Sequence, residues 1–359
     1  MKENPLGIFR FSKVIVPILI GLGAGFFMIQ REYSRNSAIF FDLASLCNTY
    51  TLFCLFLAFL FECGRELTYM MRIRILSDKK LSWKQSFQII MLWEFSSTVT
   101  PTSVGGSAVA LFIIPLECIG VGRSTAIVMF ATLMDELFYI IISPIIIFIV
   151  GLDISFATKF KFTLLGLNIS EMNVFIIGYS FMMLLTLAIL LAICFYPKKF
   201  RNWLYKLSNK KFFKHWQKNL QKTGDDVLNS SEEYKHKSFI YWLKVYIITV
   251  ASWSCRFLVL NCILAAFDTN TTNHLVIYVR QLVMWIVLCI SPTPGSSGIA
   301  EFAFPLFLNG LLPQGFESIL ALLWRLFTYY PYIIIGIIIL PIFTRRVTKR
   351  RKQLKKRNY

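Results

Sequence analysis

The chain has 359 residues, 56% of them hydrophobic, and a mean hydropathy of +0.60, which excludes a water-soluble globule and points to a polytopic membrane protein. A net charge of +19 would suit nucleic acid, but the basic residues gather at the ends of apolar runs and on one presumed side, as membrane topology demands, so no nucleic-acid partner is expected. The eight cysteines lie in or beside apolar segments without Cys-x-x-Cys spacing, and His215, His236 and His274 lie in polar loops; no disulfide framework, metal site or cofactor is implied.

Lys2, Arg10 and Lys13 precede an apolar run, Val14 to Ile29, followed by Gln30-Arg31-Glu32 without a small-residue cleavage pattern, so a retained first helix is predicted. A polar connector over 31–42 leads to a second span at about 43–63. The segment 65–84 carries Arg65, Arg72, Arg74, Lys79, Lys80 and Lys84 and is predicted to be a cytoplasmic loop, which places the N-terminus inside as well. From Gln85 to Cys118 the chain is apolar apart from Glu94, Glu117 and the break Thr100-Pro101-Thr102-Ser103-Val104-Gly105-Gly106-Ser107. A crossing takes about twenty residues, so this segment is too long for one and too short for two. Each leg of about fifteen residues rises only about 22 Å, against a hydrocarbon core of about 30 Å. A re-entrant hairpin over 85–118 is predicted.

A span at about 125–150 holds Asp135 and Glu136 near its middle, a connector runs to 172, and a further span covers 173–196. The hydrophilic loop 197–240 carries eleven Lys/Arg against four Asp/Glu and falls on the cytoplasmic side only if 85–118 does not cross. Beyond it come a span at 241–267 with Arg256, an exterior loop Asp268–His274, an interrupted segment 276–311, a span at 317–343 with Arg325, and a basic cytoplasmic tail over 344–359. The expected fold is an all-α polytopic membrane protein in one transmembrane domain, 1–359. It has about six full spans plus two re-entrant broken-helix hairpins, which enter from opposite faces and relate 1–196 to 241–343 as an inverted repeat.

The second interruption, Ser291-Pro292-Thr293-Pro294-Gly295-Ser296-Ser297-Gly298-Ile299-Ala300-Glu301, is a polar, helix-breaking patch inside an apolar run. Hydrocarbon tolerates such backbone only where protein or a water-filled cavity covers it. Trp93 and Trp285 precede the two breaks at similar distances, and paired Gly/Pro-interrupted segments point to a transporter-type binding site at a repeat interface. New half-helices starting near Ser107 and Ile299 would turn the positive ends of their dipoles towards an anionic group such as phosphate.

Charges within spans are costly, about 2.5–3.5 kcal/mol each at a helix centre, and mark pathways or buried pairs. The chain keeps Glu94, Asp135, Glu136, Arg256, Glu301 and Arg325. Glu136 shares a helical stripe with Thr132, Tyr139 and Ser143, Arg325 with Thr328, Tyr329 and Tyr332, and Arg256 with Thr249 and Ser252; such polar faces must point inward. Arginine brings a planar, permanently charged fork suited to phosphate oxygens, and Arg256, Arg325 and Glu301 are expected to converge on one midplane cavity. The alternative is that these residues are ion pairs that lock the bundle. A Gly-x-Ser-x-Gly elbow, a metal-spaced His/Cys cluster and a Walker loop are all missing from the sequence, so no enzyme is expected.

The chain resembles the flippase-like transmembrane domain of lysylphosphatidylglycerol synthases, which also occurs as free-standing membrane proteins. Its signature T-P-x-x-x-G-G-E is matched by Thr100, Pro101, Gly105 and Gly106, with Ser107 in place of the glutamate. The second signature, t-P-G-x-x-G-x-x-E with an arginine in the next helix, is matched by Thr293, Pro294, Gly295, Gly298, Glu301 and Arg325. Arg256 stands where the family has an arginine in the preceding span, and either Asp135 or Glu136 fits its acidic position. The resemblance implies translocation of a phospholipid or lipid-linked molecule between leaflets of a bacterial-type plasma (inner) membrane, with both termini cytoplasmic. These residues would form the lipid path, membrane lipids with anionic head groups would be the partners, and a homo-oligomer is possible. An accessory or scaffold subunit with a structural polar interior is the alternative reading.

Overall fold

The computed structural model describes residues 48–100, 104–156, 161–164, 167–210, 217–267, 273–289, 291 and 293–357, with Gly23, Phe26, Phe27, Gln30 and Ser34. Most of the expected first span and Pro101 of the first break therefore lie outside the described residues. Helix α1 (Thr49–Leu76) starts where the Asn48 side chain accepts from the Thr51 amide at 2.9 Å and ends where Asp78 and Lys79 take φ of 50° and 60°. This corrects the loop expected over 65–84: Arg65 and Arg72 belong to the helix and are only 2% and 3% exposed. A charge count alone cannot separate a basic loop from a basic stripe buried against acids.

Helix α2 (Trp83–Val99) opens on a capping box between Ser82 and Gln85. After the break comes α3 (Val104–Ile113), extended by a 3₁₀ turn, Ile114–Glu117. Gln85 Nε2 donates to Glu117 Oε2 at 2.6 Å, so the far ends of α2 and α3 meet. Near the break the legs touch: a Cβ on Gly106 would lie 1.9 Å from Ser97 Oγ. Helix α4 (Val121–Val150) contains Pro144 and stops at Gly151, whose φ is 93°. One helical turn (Leu152–Ser155) and a short antiparallel pair, β1 (Lys161–Leu164) with β2 (Leu167–Ser170), occupy the expected connector of an otherwise helical fold. Helix α5 (Glu171–Ile189) continues into a π turn, Leu190–Phe195.

The expected loop 197–240 is instead largely two helices, α6 (Pro197–Ser208) and α7 (Gln217–Lys235). Its spacing of apolar residues, rather than its charge, decides this: Leu204, Val227, Leu228 and Tyr234 are buried. Helix α7 docks on the start of α4, where Gly122 donates to Asp226 Oδ2 at 3.3 Å and leaves no room for a Cβ. Helix α8 (Phe239–Phe267) runs along α1, and α9 (His274–Leu288) and α10 (Ile299–Phe307) flank the second interruption. Arg280 Nη1 of α9 donates to the Asn309 carbonyl at 2.6 Å, closing that hairpin beyond α10.

The expected single span 317–343 is broken into α11 (Glu317–Thr328) and α12 (Tyr330–Arg357). Tyr329 leaves helical geometry, with φ of −134° and ψ of −59°, and Pro331, in the first turn of α12, brings no amide for the Phe327 carbonyl of the preceding turn. Among the described residues four stretches are long and apolar enough to cross a membrane, Val121–Val150, Glu171–Ala192, Phe239–Phe267 and, taken across the break, Glu317–Arg350. Phe148, 89% exposed, belongs to the surface that faces lipid. Two large apolar clusters bury side chains at opposite ends of the molecule, one around α2, α3 and the start of α4, the other around α9, α10 and the end of α8. Polar side chains collect between them.

Candidate functional site

Between the two clusters lies a cavity of about 220 Å³ whose walls carry four arginines, Arg65, Arg72, Arg256 and Arg325. Three have acid partners. Arg65 is paired with Glu66 and, at 2.9 Å, with Glu94 of α2, while the Tyr332 hydroxyl joins the same group through Glu62 and Glu66. Arg72 forms a two-point contact with Asp135, at 2.5 and 3.0 Å, and Trp253 Nε1 donates to the same carboxylate at 2.8 Å. Tyr69 lies between these two guanidinium groups, with its ring 4.6 Å from Arg65 and 4.4 Å from Arg72.

Arg325 Nε lies 3.0 Å from Glu301 Oε1, an ion pair whose angle falls short of a hydrogen bond, and its other nitrogens donate to the Gly295 and Ser296 carbonyls at 3.3 Å. Glu301 Oε2 in turn accepts from the Gly298 amide at 2.6 Å. The anionic group at the start of α10 is thus the chain's own carboxylate, where the sequence suggested a ligand such as phosphate.

Arg256 is different. It is 7% exposed, and none of the ion pairs among the described residues includes it. One nitrogen donates weakly to the Thr328 carbonyl at the α11–α12 break, at 3.4 Å, the guanidinium stands 4.6 Å from the Trp285 ring, and Nε and Nη1 have no partner. Glu136 lines the same cavity, and its buried Oε2 also lacks a hydrogen bond. Holding an unpaired guanidinium inside a span is costly, so the fold supplies a cationic position that a ligand can complete.

The two interruptions meet beside this cavity. Tyr329 Oη is 2.7 Å from Ser297 Oγ and reaches the Thr98 carbonyl at 3.4 Å. Gly295 has a φ of 55°, and a Cβ there would lie 2.5 Å from the Tyr329 ring and 2.9 Å from the Thr98 carbonyl oxygen. Only glycine fits that backbone without strain.

Among the residues singled out from sequence, Asp135, Glu136, Arg256, Arg325, Thr293 and Gly295 line the cavity, while Glu301 reaches it through Arg325. Pro294 and Gly298 build the turn behind them, and Gly298 has a φ of 82°. Thr100, Gly105 and Gly106 lie at the tip of the first hairpin, where the Thr100 hydroxyl donates to the Ser96 carbonyl and Gly105 packs on Thr100. Arg65 and Arg72 were missed, although Glu62, Arg65, Glu66, Tyr69 and Arg72 recur at helical spacing. Among the described residues no group of three or more His, Cys, Asp or Glu side chains is placed to hold a metal.

The family described as "Lysylphosphatidylglycerol synthase TM region" matches residues 14–336. The chain belongs to this family. Every residue lining the cavity, from Arg65 to Tyr332, falls within the region that the lysylphosphatidylglycerol synthase TM family covers, whereas most of the basic end of α12 falls beyond it. A relative in Archaeoglobus fulgidus, a UPF0104 membrane protein, is 26% identical over 294 residues, covering 79% of this chain and 84% of its own. No solved structure matches. This is a membrane protein of a family related to the membrane part of lysylphosphatidylglycerol synthase, a relation that suggests a membrane lipid-related role.

Proposed function

We propose that the protein is a lipid transporter that moves a phospholipid or lipid-linked molecule between leaflets, with the phosphate of the head group held at Arg256. The observation that carries this reading is the contrast within one cavity: among the described residues Arg65, Arg72 and Arg325 are neutralised by acids, and Arg256 is not. In this reading about six spans and two re-entrant hairpins form an inverted repeat in a bacterial-type plasma membrane, with both termini cytoplasmic. The meeting of each hairpin's ends, through Gln85 with Glu117 and Arg280 with Asn309, supports that arrangement. The protein itself makes no covalent change to the lipid.

The test is leaflet exchange of a labelled anionic phospholipid in reconstituted vesicles. Exchange that depends on the protein and is lost in Arg256→Gln supports transport. Absence of exchange by folded protein would favour the other reading, a scaffold whose three ion-paired arginines only lock the bundle.

A further inference from the structure

The polar cavity has an apolar neighbour on the same two helices. The cavity wall includes Tyr139 of α4 and Met182 of α5. A recess of about 520 Å³ continues from Pro144, Ile147 and Phe148 of α4 and from Phe175, Ile176 and Tyr179 of α5. At 1.5 Å per residue the step from one chamber to the next is about 7.5 Å along α4 and about 4.5 Å along α5. The lining of the recess carries no charged side chain, and its outer rim is lipid-facing, with Phe148 89% and Ile176 48% exposed.

Between the chambers Tyr139 and Met182 pack with Ile142, Phe175 and Tyr179, and one hydrogen bond crosses from α5 to the α4 backbone. Pro144 has no amide to give to the Ile140 carbonyl one turn earlier, and the Tyr179 hydroxyl donates to that carbonyl at 3.0 Å instead. Besides apolar packing, the helices are thus held there by an exchangeable hydrogen bond. We infer that the seam between α4 and α5 is where the hydrocarbon chain of the transported lipid leaves the polar cavity, and that Tyr179 latches it. The inference rests on the proposed lipid transport. A soluble anion would use the cavity alone and has no need of an uncharged recess that opens towards lipid.

The test uses the full chain in phosphatidylcholine vesicles doped with phosphatidylglycerol that carries a diazirine on one acyl chain. Photo-adducts should concentrate on 144–152 and 172–179, above those on Ile334 and Ile338 of α12, which are 60% and 57% exposed to lipid. Arg256→Gln should lower the seam adducts about tenfold, the equivalent of one charge-assisted hydrogen bond, and leave those on α12 unchanged. Tyr179→Phe, which keeps the ring and removes the latch, should raise seam labelling. Equal labelling of the seam and α12, or seam labelling indifferent to Arg256→Gln, would reduce the recess to ordinary surrounding lipid and overturn the inference. Ile176→Trp, which fills the recess, should stop exchange of the two-chain lipid. Normal exchange by that variant overturns the seam even when Arg256 is essential, whereas normal exchange by Arg256→Gln overturns the proposed function instead.

Discussion

Arg325 lies 3.0 Å from Glu301, and this pair leaves Arg256 as the cavity arginine whose charge no acid among the described residues answers. The two arginines should therefore fail differently. Arg325→Gln strands the Glu301 carboxylate and should cost about 3–5 kcal/mol of stability, recovered in part by Glu301→Gln. Arg256→Gln should give folded, inserted protein without exchange, and Arg256→Lys only partial activity because the planar fork is lost. Thermal unfolding in detergent, set beside exchange rates, separates the two, and Arg256→Gln protein that exchanges lipid at the normal rate sinks the assignment.

Gly295→Ala adds one methyl group where the Tyr329 ring and the Thr98 carbonyl leave no space, at a φ of 55°. A loss of about 1–3 kcal/mol is expected from backbone strain alone, together with a fall in exchange. Gly23 has nothing within 4 Å of its Cβ position, so Gly23→Ala serves as the control. Equal behaviour of the two variants would show that the tips need not touch.

Glu136 faces the cavity with a buried, unpartnered oxygen and is not ion-paired with Arg256. A carboxyl group there accepts a hydrogen bond from an amine on the head group and should favour such a head group over a simple anion. Glu136→Gln should speed exchange of phosphatidylglycerol and slow that of phosphatidylethanolamine, each up to about tenfold, or about 1.4 kcal/mol. Rates unchanged for both lipids would remove Glu136 from head-group selection.

The arrangement across the membrane is open to labelling in a cysteine-free background. Lys210→Cys, between α6 and α7, should react only from the cytoplasmic side, and Asn309→Cys, just beyond α10, only from outside. Reaction of both from one side contradicts opposed hairpins.

At the end of the molecule where α7 docks, Asp78 accepts from Lys237 at 2.9 Å and from Arg123 at 2.6 Å. Partial burial opposes ionisation of Asp78, but these two cations outweigh it and hold the carboxyl below its usual range. A depressed value means that the stabilisation is complete above the unfolded value of about 3.9 and is lost only as pH falls through the lower, folded one. Trypsin resistance of α7 should therefore hold between about pH 5 and 8 and weaken in Asp78→Asn at every pH. Loss of protection on going from pH 8 to 5 would assign the docking to other groups.

The two interruptions were legible because proline and glycine inside an apolar run have few structural solutions, and α10 does begin at Ile299 as the sequence suggests. Arg256 and Arg325 were legible as lone charges on polar stripes. Arg65 and Arg72 were not, since the positive-inside bias claims any arginine near a span end and only tertiary contact with Glu94 and Asp135 shows otherwise. The α11–α12 break carried a signal, Pro331, hidden by the unbroken hydropathy around it. Helices α6 and α7 were hidden by their lysines, although Leu204 and Val227 face inward.

The break at Thr328–Tyr330 divides one crossing into two rods with a joint between them, and Arg256 touches the joint at the Thr328 carbonyl. In the proposed transport, a phosphate taken up by the free Nε and Nη1 would pull on the same guanidinium whose Nη2 holds the joint at 3.4 Å. Cargo and hinge would then share one side chain, so that loading and bending are coupled through Arg256.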